Sequence, residues 1–175
     1  CLGIPAAKRG EYWEEVKTES PVMAEKLVVL QNMGNEILKV YGLYKCLPFC
    51  REQRYDAAAG GPAPYLAVPM LLTLGNTYET GKEKLDRKDM LSQWIWEATG
   101  NAALMETQEW FAGLLQKANK SDRSIEYWAP GDGKFPLETQ KAVFDSLNPA
   151  TIGVALNDHY NIEPAKTLTG VFIIR

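Results

Sequence analysis

Three cysteines, one histidine and one glycine-rich turn are the features of this 175-residue chain whose residue types bear most directly on chemistry. Cys46 and Cys50 stand four positions apart, close enough on one turn to share a metal or form a strained disulfide. Two thiolates make half a zinc site, and Cys1 is too distant in sequence to be assumed as a third ligand. The plainer reading is packing or surface cysteines. His159 follows Asp158, a pairing that can hold an imidazole in one tautomer for proton transfer, set against a loop histidine in solvent. One histidine leaves an HExxH site, a His-rich zinc site and a triad built on two histidines short of parts. Glu97 and Glu106 flank Thr99-Gly100, where carboxylates can face a ligand, although helix carboxylates usually face water. Their pattern is not that of a glycosidase. The most site-like local feature is Ala129-Pro130-Gly131-Asp132-Gly133, because its glycines let backbone amides approach a ligand just ahead of a helix starting near Pro136. It has neither a Walker lysine-serine pair nor GxGxxG spacing.

The elements that must position these residues follow from caps and periodicity. Ser20-Pro21 is a helix start, and Met23, Leu27, Leu30, Met33, Ile37 and Val40 recur at threes and fours, which predicts a core-facing helix closed by Gly42. Ala57 to Pro64, rich in glycine and proline, is the internal boundary. It divides an N-terminal helical segment, residues 1–60, from a core of residues 61–175. The N-terminal segment packs on the core or exchanges with a neighbouring copy. Tyr65 to Leu74 reads as a buried strand in which Pro69 argues for a bulge or an edge. A polar helix follows over Asn76 to Leu85, then two helices, Asp86 to Ala98 and Asn101 to Ala118, separated at Thr99-Gly100, where the glycine permits close packing. Ile125 to Trp128 is a short strand, Pro136 to Leu147 an amphipathic helix, and Gly153 to Leu156 and Leu168 to Ile174 are strands joined by a polar turn containing His159 and Pro164. Helices and strands mix without regular alternation, so the expected class is α+β.

Composition narrows the function classes. Nineteen Lys and Arg against 22 Asp and Glu give a formal charge of -3, and no stretch concentrates basic residues as a phosphate-tracking surface does, so no nucleic-acid partner is expected. The longest apolar runs fall short of the roughly 20 residues that cross a bilayer, so no membrane role is expected. Three cysteines in a domain this size suit a reducing, cytoplasmic setting. Cys1 at the first position leaves open a processed lipoprotein, a trimmed chain or residues ahead of it.

The order of motifs carries more than any single one. Thr73-Leu74-Gly75 comes first, followed by Glu97-Ala98-Thr99-Gly100-Asn101-Ala102-Ala103. Ala129-Pro130-Gly131 with Pro136-Leu137-Glu138-Thr139-Gln140 is next, and then Ile152-Gly153-Val154-Ala155-Leu156 with Pro164-Ala165-Lys166-Thr167. This order resembles the activation domain of vitamin B12-dependent methionine synthase and the small stand-alone proteins similar to it, over roughly residues 65 to 174. The resemblance implies a single C-shaped α+β domain with a twisted antiparallel sheet and flanking helices. It implies a family that binds S-adenosylmethionine and supports reductive methylation of inactivated cobalamin carried by a methionine synthase or another corrinoid protein. The implied ligand site comprises Tyr127, Ala129, Pro130, Gly131, Asp132 and Gly133, with Glu97 and Lys166 nearby. The chain departs from the family pattern in three places: the tryptophan-containing N-terminal motif is not recognisable around Trp13, Tyr127 stands near an arginine position, and Asp132 stands where a tyrosine follows the glycine. A single hydroxyl replaces a multidentate cation, and an acid now faces the position of the ligand carboxylate, although it can favour the sulfonium or amino group. The other expectations are a docking or assembly module that kept the fold and lost the ligand, its partner surface formed by the N-terminal helix and the Cys46/Cys50 segment, and a metal or thiol-redox role for those cysteines.

Overall fold

A computed structural model describes residues 21–48, 66–119, 123–133 and 135–175. The elements begin with α1 (Pro21–Ile37), β1 (Tyr41–Tyr44), β2 (Leu47–Pro48), β3 (Leu66–Thr73), α2 (Asn76–Glu83) and α3 (Met90–Ala118). They continue with β4 (Ile125–Trp128), α4 (Thr139–Leu147), a 3-10 turn (Pro149–Ile152), β5 (Ala155–Leu156), β6 (Ile162–Glu163) and β7 (Thr167–Ile174). The fold is α+β. Its main sheet is antiparallel: β1 and β2 pair with one side of β3, β3 with β7, and β7 with β4.

Strand alternation gives this sheet two buried faces. Val68, Met70, Leu72, Phe172 and Ile174 point to the face covered by α3, where they meet Leu104 and Phe111. Ala67, Val171 and Ile173 point to the other face, where they meet Phe135 and Val143 from the α4 side. Because both faces are covered, β3 and β7 are nearly continuously apolar. α1 lies against α3 through Leu27, Leu30 and Ile95, and Lys26 pairs with Asp89, the N-cap of α3. The N-terminal helix and β1 therefore pack on the same body as the core, while the boundary expected near residue 60 lies outside the described residues.

Four sequence expectations change. The first helix ends at Ile37, and Gly42 lies in β1, where an added Cβ would meet Leu72 at 2.8 Å. The two helices expected around Gly100 are one 29-residue helix. Gly100 faces the Tyr78 ring, which an added Cβ would meet at 2.8 Å, so the glycine permits close packing without ending the helix. β3 is a central strand despite Pro69, which lies opposite the break between β1 and β2, where its carbonyl accepts from the Lys45 N–H at 3.2 Å. An edge or bulge is unnecessary because the missing N–H falls at that interruption and not within the ladder to β7. Finally, Ala155–Leu156 pairs with Ile162–Glu163 in a separate hairpin that the periodicity did not reveal.

Candidate functional site

The site candidates fall into two groups beside β7. The first gathers where β7 begins. The Lys166 side chain is only 11% exposed, and its ammonium pairs with Glu97, donates to the Asn101 side-chain carbonyl at 2.7 Å and stands 5.3 Å from the centre of the Tyr78 ring. The Tyr78 hydroxyl donates to the other Glu97 oxygen at 2.5 Å, and the Trp96 indole donates to the Tyr78 carbonyl at 3.1 Å. The Lys166 carbonyl accepts from the Leu74 N–H at 3.0 Å and the Thr73 hydroxyl at 3.3 Å. The Thr73 and Thr167 hydroxyls lie 2.8 Å apart.

Opposed effects set the ionisation of this group. Burial acts on Glu97 to raise its carboxyl, but hydrogen bonds from Lys166 and Tyr78, with the positive charges of Lys166 and Lys82, outweigh it and hold Glu97 below the usual carboxylate range. Burial and the Glu97 hydrogen bond push the Tyr78 phenol upward. Glu97 therefore stays ionised, and with 49% of its side chain exposed it can accept from a cationic or hydroxylated group arriving from solvent.

The second group is the loop after β4. β4 stops pairing at Trp128, opposite Val171, and the chain turns toward α4. The Gly131 N–H donates to the Phe135 carbonyl at 2.8 Å and the Asp132 N–H to the Ala129 carbonyl at 3.0 Å. The Phe135 N–H in turn donates to the Asp132 carbonyl at 2.9 Å. Gly131 and Gly133 have φ of 87° and 55°, a conformation that favours glycine. Ala129 and Pro130 are half-buried, whereas Gly131, Asp132 and Gly133 are exposed. The turn thus uses two of the amides that the glycines were expected to offer a ligand.

Tyr127 belongs to neither group. Its ring packs against Phe172 with centroids 5.0 Å apart, and it fills the space over Gly170, where an added Cβ would run into the ring. Its hydroxyl donates to the Thr169 carbonyl at 2.9 Å, beyond the end of the β4 ladder, and burial pushes the phenol upward. The sheet separates the groups further: Tyr78 of the first lies on the α3 face, as Tyr127 does, while the loop runs to Phe135 on the α4 face.

Among the sequence-selected residues, Glu97 and Lys166 meet directly, Ala129 to Gly133 form one turn, and Tyr127 is occupied in the sheet. Sequence reasoning missed Asn101 and Tyr78 as members of the Lys166 cluster. Asn101 had a readable signal, since it follows Glu97 by one helical turn on the same helix face. Tyr78 had none. Cys46 is an exposed free thiol, and Cys1 and Cys50 lie outside the described residues. His159 is exposed in the β5–β6 turn, where its N–H donates to the Asn157 side chain at 2.9 Å. Asp158, but not His159, lines a cleft of about 660 Å³ beside the C-terminal end of α4. Among the described residues, no group of three His, Cys, Asp or Glu is arranged to hold a metal, and no helix is long and apolar enough to cross a membrane.

No model of a known protein family matches the chain, and no curated protein matches it. The fit to S-adenosylmethionine therefore rests on the residues themselves. Glu97 suits the ammonium or sulfonium of that molecule, whereas the loop offers its carboxylate an acidic side chain and two spent amides.

Proposed function

We propose that this chain is a stand-alone activation-domain-like protein that supports reductive reactivation, by S-adenosylmethionine-dependent remethylation, of a cobalamin-dependent methionine synthase or a related corrinoid methyltransferase in the cytoplasm. One observation supports this reading above the others. Three of the separated segments that carry the resemblance, Thr73 to Gly75, Glu97 to Asn101 and Lys166-Thr167, interlock through hydrogen bonds at the start of β7. Another, the loop from Ala129, leaves β4 just past the pairing of Trp128 with Val171 of that strand.

In this reading S-adenosylmethionine supplies the methyl group and the cobalamin belongs to the partner, so this chain contributes positioning. Glu97 meets the ligand's positive end, and Lys166 holds Glu97 ionised and oriented. Calorimetric titration with S-adenosylmethionine, with S-adenosylhomocysteine as control, tests it. Saturable binding that weakens about tenfold or more in Glu97→Gln is expected, and absence of binding overturns the ligand-binding part.

A second reading has its own support. The Tyr127 hydroxyl and the Gly131 and Asp132 amides already have partners within the chain, as expected of a docking or assembly module that kept the fold and lost the ligand. That module forms a complex with a corrinoid protein without S-adenosylmethionine, which co-sedimentation of the two purified proteins measures.

A further inference from the structure

Met90, Trp94 and Met105 stand 73%, 53% and 59% exposed along one line of α3, with exposed Asn101 and half-buried Ala98, which also packs toward the α1 side, between them. α1 covers one flank of the helix through Leu27 and Leu30, and Tyr78 and the sheet cover the opposite side. The stripe runs about 22 Å from Met90 to Met105 at the α-helical rise. Large apolar side chains grouped in this way mark an interaction surface more often than the same residues scattered singly.

We propose that a second copy of this chain covers the stripe, the two α3 helices packing antiparallel about a two-fold axis that passes between Ala98 and Asn101. The spacing is self-complementary. That axis sets Trp94 against Met105 of the second copy, a thioether-on-indole contact made twice by symmetry. Near the axis lies Ala98, whose single methyl lets the helices approach to the 8–10 Å of ordinary helix packing. The same register brings Glu109 of the second copy opposite Met90, within one turn of Arg87 and Lys88, and all three charged residues are exposed. Glu97, the carboxylate closest to the axis, is already paired with Lys166 and brings no uncompensated like charge to the centre. The register therefore sets Trp94 against Met105 and brings unlike charges to within one turn of each other.

Light scattering on a sizing column, with reductant present so that Cys46 forms no link, tests the proposal on the full chain. A dimer that dissociates on dilution is expected. Trp94→Lys and Met105→Glu each weaken it by about 30-fold or more, as removal of a central aromatic anchor does. The double variant recovers part of the loss, because the introduced ammonium of one copy then faces the introduced carboxylate of the other. All the altered positions are exposed, so at a dilution where parent and variants are both monomeric their melting temperatures coincide, and Glu109→Arg provides an independent second variant expected to weaken the dimer. A chain that stays monomeric at about 100 micromolar overturns the proposal. So does a dimer indifferent to Trp94→Lys, or a double variant no better than the worse single one.

Discussion

At the start of β7 the polar groups answer one another, whereas in the turn after β4 the backbone answers itself and the side chains are left to water. Lys166 has a carboxylate, an amide and an aromatic face around it, with its own carbonyl tied to Leu74 and Thr73. Asp132 stands exposed on a turn held by three backbone hydrogen bonds. The first arrangement joins α2, α3 and the sheet, so its residues carry stability and ionisation together. The second is local, so its side chains can vary without disturbing the core. Tyr127 marks the border between them: it lies in the strand leading to the loop but acts as a cover for Gly170.

This contrast can be broken most forcefully at Gly170. A Cβ there meets the Tyr127 ring, so Gly170→Val should cost about 3 kcal/mol in urea unfolding through overpacking. A loss below about 1 kcal/mol would mean that the ring moves aside freely and that Tyr127 is not committed to the sheet. Lys166→Met should cost about 1 to 2 kcal/mol, since Glu97 and Asn101 lose their partner but Glu97 remains half open to water. In the same variant the Glu97 carboxyl, followed by NMR titration, should move up toward the ordinary range. The acid limb has a definite sign: the folded carboxyls of Glu97 and Asp89 lie below their unfolded values, Asp89 at about 2 against 3.8. Their contribution is therefore complete above the unfolded values and disappears as pH falls through the folded ones. Lys26→Met should flatten the loss of urea resistance between about pH 4 and pH 2. Tyr127→Phe should cost about 1 kcal/mol by leaving the Thr169 carbonyl without its donor, while leaving S-adenosylmethionine titrations unchanged. Asp132→Ala should stay within about 0.5 kcal/mol of the parent protein, and a larger loss would show that the turn is tied to the core.

Much of the fold was legible because it is written in short-range spacing. The apolar run at β3, the strand at Ile125–Trp128, the helix opening at Pro21 and the glycine turn all depend on residues within a few positions of one another. Errors arose where a distant group overrode a local signal. Gly100 looked like a break until the Tyr78 ring accounted for it, and Pro69 looked like an edge until the gap between β1 and β2 was seen opposite it. The candidate site divides along the same line. The loop was legible in one stretch of sequence, but Lys166 reaches Glu97 across 69 positions and Thr73 meets Thr167 across 94, separations at which spacing carries no information.

By itself, then, the sequence determined the helix opening at Pro21, the strands β3, β4 and β7 and the glycine turn, because backbone sterics and hydrophobic periodicity act over a few residues. Only the tertiary structure decided that Glu97 keeps its charge, that Tyr127 serves the sheet and that Lys166 is enclosed. Ionisation and availability depend on what the folded chain brings within a few ångströms, and those neighbours come from distant parts of the polypeptide.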